Sequence, residues 1–279
     1  MPVAQLDDRA VILISGEDAH AFLQNILTQD MDDADQRGAA YGALLSPQGK
    51  ILFDFVAHKH QRGYALDCRA DVAEALAKRL GMYRLRAKVE IAAAPDLAVF
   101  TAWDGDEAGR PADPRLEALG ARWIAPVGSV EANAGADDYH EHRVALTIPE
   151  GGLDFEFGDT FPHDAAMDSL DGVAFDKGCY IGQEVVSRMR HRGTARRRIV
   201  SIHANWPLPE AGAEIVAGER PLGRLGSSSE GKGIGLVRLD RLRDALEAGL
   251  PVRIGPEEVT VALPPWATYV FPPSDASES

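Results

Sequence analysis

The segment Lys177–Glu184 has the residue types that could support covalent chemistry. Cys179 lies in a loop bounded by glycines, and a helical pattern begins near Gln183. A helix N-terminus and a nearby cation, here Lys177, both stabilise a thiolate, so this position could lower the pKa of the cysteine. The alternative is a small buried side chain in a tight turn, which is what most free cysteines are.

An arginine-rich segment follows directly. Six arginines occur within eleven residues, with no acidic residue among them: Arg188, Arg190, Arg192, Arg196, Arg197 and Arg198. Guanidinium groups match carboxylates and phosphates, so the segment is a candidate site for a polyglutamate tail, an RNA phosphate or an acidic partner protein. The alternative is a solvated surface whose arginines pair with the protein's own carboxylates.

Asp54 is an acidic residue among apolar neighbours, on the strand that follows the turn Ser46–Gly49. In a cavity its pKa would rise, which suits hydrogen bonding or proton transfer. Facing water, it would be the polar half of an ordinary strand alternation. The eight histidines are dispersed, and His140 and His142 are too close on a helix to share a metal with i, i+4 spacing, so no metal site is predicted.

Composition limits the classes of function. The 279 residues are 45% hydrophobic and 26% charged, with a net charge of −14, which excludes a fully disordered chain and argues against broad binding to nucleic acid or anionic membrane. Cys68 and Cys179 are far apart, so the chain should hold no stable iron–sulfur cluster of its own. No apolar run approaches the ~20 residues that span a bilayer. The acidic N-terminus lacks a signal-peptide pattern, which leads us to expect a cytoplasmic protein.

The elements that must position these residues follow an α+β pattern. An apolar stripe predicts a helix from Ala19 to Leu27, and the turn at Ser46–Gly49 predicts a hairpin. A helix capped by Asp71 should end at Gly81. Leu85, Ala87, Val89 and Ile91 alternate with polar residues, the pattern of a half-buried strand. Short β-prone runs between Ile199 and Leu263 predict a small barrel or sandwich.

The segment Lys177–Glu184 with Arg188 resembles the signature of the YgfZ family of folate-binding proteins, which are relatives of the aminomethyltransferase (T protein) of the glycine cleavage system. Supporting matches are spread along the chain: Phe22–Asn25 with Thr28 and Asp30, Tyr41–Leu45 with Pro47, Gly49–Ile51 and Asp54, Arg143, Ile148–Gly152, Asp154–Phe155 and Gly172–Phe175.

The resemblance implies an α+β fold of three domains in a ring around a central folate cavity. Residues 1–45 plus 135–195 would form a discontinuous folate-binding domain, 46–134 a ferredoxin-like insert and 196–270 a C-terminal β-barrel. The tail 271–279 is expected to be frayed.

The same resemblance implies tetrahydrofolate, or a one-carbon derivative, as the cofactor. Cys179 and Asp54 would carry any chemistry, and the implied folate contacts are Asp54, Arg143, Lys177, Tyr180, Gln183, Glu184 and Arg188. The implied role is the assembly or repair of iron–sulfur clusters in client enzymes, including a radical enzyme that thiolates tRNA. Iron–sulfur client proteins and folate are therefore the expected partners, and membranes and nucleic acids are not.

Two departures from the T protein bear on catalysis. The T protein has paired aspartates where this chain has Phe53 and Asp54. It also has a pterin-binding glutamate two positions after an arginine, where this chain has Ala145, with Glu150 five positions further on. These changes count against aminomethyl transfer, which stays open as an alternative. A second alternative is an RNA-binding or interaction module that uses the arginine-rich segment. Whether the chain is an enzyme is left open.

Overall fold

The computed structural model describes residues 1–105, 109–193 and 195–273. The chain forms two compact units. The first unit contains Met1–His140 and Leu170–Val185, and the second contains Glu141–Ser169 and the chain from Val186 onward. The predicted frayed tail at 271–279 lies largely outside the described residues, which end at 273. The predicted boundaries of three domains stay a prediction.

The first unit contains the helices α1, α2 and α3 and two antiparallel sheets. Its elements are β1 (Val3–Gln5), β2 (Arg9–Ser15), α1 (Ala19–Ile26), α2 (Met31–Arg37), β3 (Ala39–Leu45), β4 (Ile51–His60), β5 (Gly63–Arg69), α3 (Ala73–Tyr83), β6 (Glu90–Ala93), β7 (Leu97–Ala102) and β8 (Ala121–Pro126). The chain passes between the units three times: within α4 (Ala136–Ala145), between Ser169 and Leu170, and within α5 (Gln183–Arg192).

The larger sheet of the first unit has the strand order β3-β4-β5-β2-β6, and a smaller one has the order β1-β7-β8. The predicted hairpin is confirmed, since β3 and β4 pair across the turn Ser46–Gly49. Gly49 has φ +79°, a conformation that glycine adopts without strain. The amide of Ser46 donates to the carbonyl of Lys50 at 2.8 Å and closes the turn.

One face of the five-stranded sheet packs on the apolar sides of α1 and α3. Leu23 and Leu76 from these helices join Phe55, Leu66 and Cys68 from the strands in one buried cluster. Successive strand residues point to opposite faces, so the same strands send Asp54 and Asp67 to the other side. Cys68 is a core side chain, and its burial raises the pKa of its thiol to about 12.

The opposite face carries a buried ionic network centred on Asp67, whose side chain is 0% exposed. Arg9 Nε donates to Asp67 Oδ1 at 2.6 Å, and Arg122 Nε from β8 donates to Oδ2 at 2.6 Å. Tyr139 Oη accepts from Arg122 at 3.0 Å and from Arg115 at 2.7 Å. The network therefore fastens the three-stranded sheet, through β8, to the five-stranded sheet.

The second unit is built on a seven-stranded antiparallel sheet with the order β14-β13-β10-β11-β12-β9-β15. The strands are β9 (Arg197–His203), β10 (Glu214–Ala217), β11 (Arg220–Ser229), β12 (Lys232–Arg238), β13 (Val252–Ile254), β14 (Glu257–Glu258) and β15 (Thr260–Ala262), with α6 (Leu239–Glu247) after β12. Ile202, Ile215, Leu222, Ile234 and Leu242 lie in its core. The predicted β-prone runs are thus confirmed as strands. None of the described helices has the length and apolar character needed to cross a membrane.

Three expectations around α3 are wrong. Asp71 does not cap the helix, because the N-cap residue is Val72 and no side chain makes a capping hydrogen bond there. The helix does not end at Gly81 but continues to Tyr83, since the amide of Arg84 still donates to the carbonyl of Leu80 at 3.2 Å. The predicted strand from Leu85 to Ile91 begins only at Glu90, where pairing with β2 starts. Leu85 has φ +45° and is 88% exposed instead of facing a core. A turn in which Ala87 donates to the carbonyl of Arg84 at 2.8 Å replaces the first half of the strand.

The ionic network predicts a large effect of Asp67→Asn. The substitution removes the charge with which Asp67 neutralises the buried Arg9 and Arg122, although Asp113 Oδ2 still lies 3.9 Å from Arg122. Breaking a buried pair in this way costs about 3–5 kcal/mol of unfolding free energy. Urea unfolding followed by circular dichroism measures the loss. The matched control is Glu17→Gln, which removes an exposed pair with Lys88 and should cost less than about 1 kcal/mol.

The same network predicts a pH dependence. Burial by itself would raise the pKa of Asp67, but the charges of Arg122 and Arg9 outweigh it and hold the pKa well below the usual range. Its contribution to stability is therefore complete above the ordinary carboxyl pKa of about 4 and is lost as the pH falls below it. Wild type should lose stability on acidification more steeply than Asp67→Asn, and parallel curves would contradict the assignment.

Candidate functional site

Cys179 lies in an irregular segment that leads into α5, which begins at Gln183 as predicted. The helix ends at Arg192, and Gly193 follows with φ +59°. The Cys179 side chain is exposed, so the alternative of a small buried residue is wrong for this cysteine. Its thiol is open to solvent and to other molecules.

Lys177 anchors this segment through hydrogen bonds to the chain after α1. Its Nζ donates to the carbonyl oxygens of Leu27 at 2.9 Å and Gln29 at 2.7 Å, and it lies 5.5 Å from the centre of the Tyr180 ring. The residue is 8% exposed, and burial lowers its pKa to about 8. Its ammonium thus holds two backbone carbonyls, which is a different task from the expected stabilisation of a thiolate.

Thr28 and Gln29 anchor the residues before Lys177. Thr28 Oγ1 donates to the carbonyl of Gly172 at 2.7 Å and accepts from the amide of Ala43 at 2.9 Å. The Thr28 carbonyl accepts from the amide of Ala174 at 3.0 Å, and Gln29 Nε2 donates to the carbonyl of Asp171 at 2.5 Å. Thr28 therefore joins β3 to the cysteine segment. This role of Thr28 could not be predicted from the sequence, because bonds between residues so far apart leave no local pattern.

Gly182 fixes the other end of the segment. It has φ +82°, and a Cβ added there would lie 2.7 Å from the carbonyl oxygen of Ser46. A Cβ on Gly49 would in turn lie 2.8 Å from Cβ of Val185. The start of α5 and the β3–β4 turn can approach this closely only because both positions are glycine. Gly178, by contrast, has open space around its Cβ position.

Asp54 is buried, with 6% of its surface exposed, so the alternative of a water-facing carboxylate is wrong. The Tyr41 hydroxyl donates to Asp54 Oδ2 at 3.1 Å. Arg115 lies over the Tyr41 ring, 5.8 Å from its centre. Asp54 pairs with Ala43 in the hairpin, and the amide of Ala43 donates to Thr28. The carboxylate and the cysteine segment are therefore connected through one threonine within the first unit.

The other predicted contacts near Cys179 differ in exposure. Tyr180 is buried, which raises the pKa of its hydroxyl to about 12. Gln183 and Glu184 form the first turn of α5, with Gln183 half-buried and Glu184 exposed, and Arg188 is exposed further along. Lys177, Tyr180, Gln183 and Glu184 lie within five positions of Cys179 in the sequence. Their predicted contacts with folate stay predictions.

Arg143 is held by protein groups inside the second unit. It is 1% exposed, and its Nη1 donates to Asp154 Oδ2 at 2.8 Å and to the carbonyl of Ile148 at 3.0 Å. Nη2 donates to Ser227 Oγ at 2.7 Å, and Nε lies 3.4 Å from Glu150 Oε2. All three nitrogens thus face protein acceptors, which makes Arg143 a structural residue of this unit. Its predicted contact with folate stays a prediction.

The arginines of the arginine-rich segment differ in their contacts and exposure. Arg197 contacts Asp159 and Asp164, each at 2.9 Å, and Arg198 contacts Asp168 at 2.7 Å. For these two residues the alternative of pairing with the protein's own carboxylates is confirmed. The remaining members are exposed: Arg188, Arg190, Arg192 and Arg196.

A cavity of about 670 Å³ lies in the second unit, between the segment Gly152–Thr160 and strands β10 and β11. Asp154, Arg197 and Leu225 are among its walls, and none of the predicted folate contacts is among the described residues that line it. Its volume suits a small molecule, but its position gives no support to a folate site at Asp54.

Comparison with solved structures defines the class of fold. The chain matches the aminomethyltransferase T of the glycine cleavage system from Bartonella henselae with a TM-score of 0.70, covering 94% of this chain and 84% of that one at 16% identity. Residues 196–269 match the family described as the C-terminal β-barrel domain of CAF17. The chain therefore has the α+β fold of the T protein with a C-terminal β-barrel, as the resemblance implied.

Sequence relatives define the family. The mitochondrial iron–sulfur cluster assembly factor IBA57 of Homo sapiens is 28% identical over 280 residues, covering 87% of this chain and 79% of the human protein. The mitochondrial homologue from Pyricularia oryzae is 30% identical over 288 residues, covering 88% and 74%. The chain belongs to the family of iron–sulfur cluster assembly factor IBA57. The name YgfZ stays a resemblance.

The expected cytoplasmic location is wrong. The relatives from Homo sapiens, Mus musculus and Neurospora crassa are mitochondrial proteins, which conflicts with a purely cytoplasmic location. The expectation rested on the acidic first residues, which lack a signal-peptide pattern, and the low cysteine usage of the chain agreed with it. Low cysteine usage indicates a reducing compartment but does not distinguish one such compartment from another.

The two glycines around Cys179 predict opposite effects of an added methyl group. Gly182→Ala places a Cβ against the Ser46 carbonyl in a left-handed conformation, a strain of about 1–3 kcal/mol, and should lower the melting temperature. Gly178→Ala meets open space and should leave it unchanged. Thermal unfolding of both variants checks this, and equal melting temperatures would contradict the tight contact at Gly182.

The lowered pKa of Lys177 predicts that the free energy of unfolding increases at alkaline pH. Its folded pKa of about 8 lies below the unfolded value of about 10.4, so between these pH values the unfolded chain binds more protons and stability rises with pH. The rise from this group should be about 3 kcal/mol. Urea unfolding from pH 7.5 to 10.5 should show the rise in wild type and its loss in Lys177→Met, relative to the exposed control Lys232→Met. Parallel curves for wild type and Lys177→Met would contradict the lowered pKa.

Proposed function

We propose that the chain is an accessory factor for the assembly or repair of iron–sulfur clusters in client enzymes. The observation that carries the proposal is the placement of Cys179, an exposed thiol on a segment anchored by Lys177 at one end and by Gly182 at the other. The names of its relatives, which are iron–sulfur cluster assembly factors, support the same role.

The chemistry of a single thiol explains why such a protein would assist clusters without keeping one. A thiolate is a ligand that iron–sulfur clusters prefer, and a stable cluster takes about four of them. Cys68 is buried in the core of the first unit, so Cys179 can supply one ligand and a partner must supply the others. On binding iron the thiol releases its proton to solvent, and on transfer the partner's ligands replace it.

The anchored segment limits how far Cys179 can move. Hydrogen bonds from Thr28, Gln29 and Lys177 fix the chain before it, and the close packing of Gly182 fixes the chain after it. A thiol held in one place can meet a partner's cluster with little loss of conformational entropy, which favours exchange between proteins.

We also propose that tetrahydrofolate, or a one-carbon derivative, binds with its pterin ring against Asp54. A carboxylate accepts hydrogen bonds from the ring N–H groups, and the bond from Tyr41 orients it. Lys177 and Arg143 are engaged with protein acceptors, so polar recognition of the pterin would depend chiefly on Asp54. Tyr180, Gln183, Glu184 and Arg188 are the further contacts that we propose.

Aminomethyl transfer gains no support from the site. The first of the two aspartates of the T protein is replaced by Phe53, which packs against the core of the first unit. We therefore favour an accessory role over turnover, and we include a tRNA-thiolating radical enzyme among the proposed clients.

Complementation of a deletion strain tests the role of Cys179. Cys179→Ala should fail to restore the activity of iron–sulfur enzymes and the level of thiolated nucleosides in tRNA, whereas enzymes without clusters should be unaffected. The matched control is Cys68→Ala, which removes the only other cysteine of the chain and should restore both. Equal restoration by wild type and Cys179→Ala would refute the role of the thiol.

Calorimetry with tetrahydrofolate tests the cofactor. Wild type should bind, Asp54→Ala should bind at least about tenfold more weakly because a charge-assisted hydrogen bond is lost, and the exposed control Asp96→Asn should bind like wild type. Absence of binding to wild type would remove folate from the proposal, and undiminished binding to Asp54→Ala would move the site elsewhere.

A further inference from the structure

The turn that follows α3 exposes a large apolar side chain in an unfavourable backbone conformation. Leu85 is 88% exposed and has φ +45°. A left-handed conformation costs free energy for a residue with a Cβ, and glycine or asparagine adopts it more readily. Neither the exposed side chain of Leu85 nor its backbone conformation adds to the stability of the fold. Its presence at this position therefore calls for another explanation.

The turn is held firmly by its own hydrogen bonds. The amide of Ala87 donates to the carbonyl of Arg84 at 2.8 Å, and the amide of Lys88 donates to Asp18 Oδ2 at 2.7 Å. Arg84 Nη1 also reaches the carbonyl of Val89 at 3.4 Å. Leu85 is therefore presented outward from a fixed position and is not part of a loose loop.

A second exposed apolar residue lies beside Leu85 in the chain. Met82, in the last turn of α3, is 63% exposed. The buried side of the same helix is formed by Leu76 and Leu80, so Met82 does not belong to the core stripe. Met82 and Leu85 are three positions apart in the chain at the end of α3, and we refer to these two exposed residues as the apolar tip.

The tip has a basic surrounding on an acidic protein. Residues 78–88 contain five basic residues and no acidic one, whereas the whole chain has a net charge of −14. The five are Lys78, Arg79, Arg84, Arg86 and Lys88. Lys88 contacts Glu17 at 2.7 Å. Because Glu17 offsets the charge of Lys88, the surplus of positive charge at the tip comes from the other four residues. That surplus fits an acidic surface with an apolar recess at its centre.

A protein fits this surface better than a lipid bilayer. Two apolar side chains bury little area in a membrane, and the net charge of −14 repels anionic lipids from the rest of the molecule. In a protein interface a small apolar anchor in a recess, surrounded by charged contacts, is the usual arrangement.

We propose that the apolar tip, Met82 and Leu85 with its basic neighbours, is a docking surface for an acidic iron–sulfur client protein, with Leu85 inserted into a recess of that partner. This inference rests on the proposed function, because it takes the partner from the clients served through Cys179. Docking at the tip would add affinity for the client without using the thiol.

Binding of purified clients tests the surface. The probe is the apo form of a client enzyme whose activity falls in the deletion strain, titrated into the full-length chain by calorimetry. Leu85→Asn should weaken binding at least tenfold, Arg86→Glu should weaken it and reduce its salt dependence, and Val127→Asn, which removes another exposed apolar side chain of the first unit, should leave it unchanged. Because asparagine relieves the left-handed strain, the melting temperature of Leu85→Asn should equal or exceed that of wild type.

The outcomes separate this inference from the proposed function. If Leu85→Asn binds the client as tightly as wild type and supports cluster enzymes in cells, while Cys179→Ala does not, the docking surface is refuted and the function stands. If Cys179→Ala also supports those enzymes, the proposed function is refuted first. Leu85-dependent binding to vesicles of phosphatidylcholine and phosphatidylglycerol, without binding to the client, would assign the tip to a membrane and overturn the inference.

Discussion

The first unit depends on the neutralisation of one buried carboxylate. Asp67 lies on the face of the five-stranded sheet turned away from α1 and α3, with no exposed surface. A charge in that position is tolerated only when it is paired and hydrogen-bonded, and Arg9 and Arg122 meet that requirement from two different strands. Because Arg122 belongs to the three-stranded sheet, the demand of one carboxylate for partners fixes how the two sheets of this unit are joined.

That constraint extends toward the candidate site. Tyr139 accepts from both Arg122 and Arg115, and Arg115 lies over the ring of Tyr41, whose hydroxyl holds Asp54. Thr28 then connects the neighbouring strand to the cysteine segment. A series of contacts on the polar face of the sheet thus connects Asp67 to the segment that presents Cys179 to solvent.

Local features of this fold could be predicted from the sequence and distant contacts could not. The β3–β4 turn, the start of α5 and the strands of the second unit follow from glycine positions and apolar spacing. The bonds from Lys177 to Leu27 and from Arg122 to Asp67 join residues far apart in the chain, and no periodicity reports them. The predicted strand at Leu85 was wrong for another reason. The alternation of Leu85 with Arg86 favours a strand, but the hydrogen-bonded turn at Arg84–Ala87 forms there instead.

The discontinuity of the first unit has a consequence for synthesis on the ribosome. The unit is interrupted after His140 and is completed only by Leu170–Val185. Lys177 and Leu27 are separated by 150 positions. The hydrogen bond between them can therefore form only after a further 150 residues, more than half of the chain, have been synthesised. Long-range closure of this kind is entropically slow. A nascent chain stalled before residue 170 would therefore carry the strands of this unit without the segment Leu170–Val185 that packs against them. Such a chain would be a natural target for chaperones.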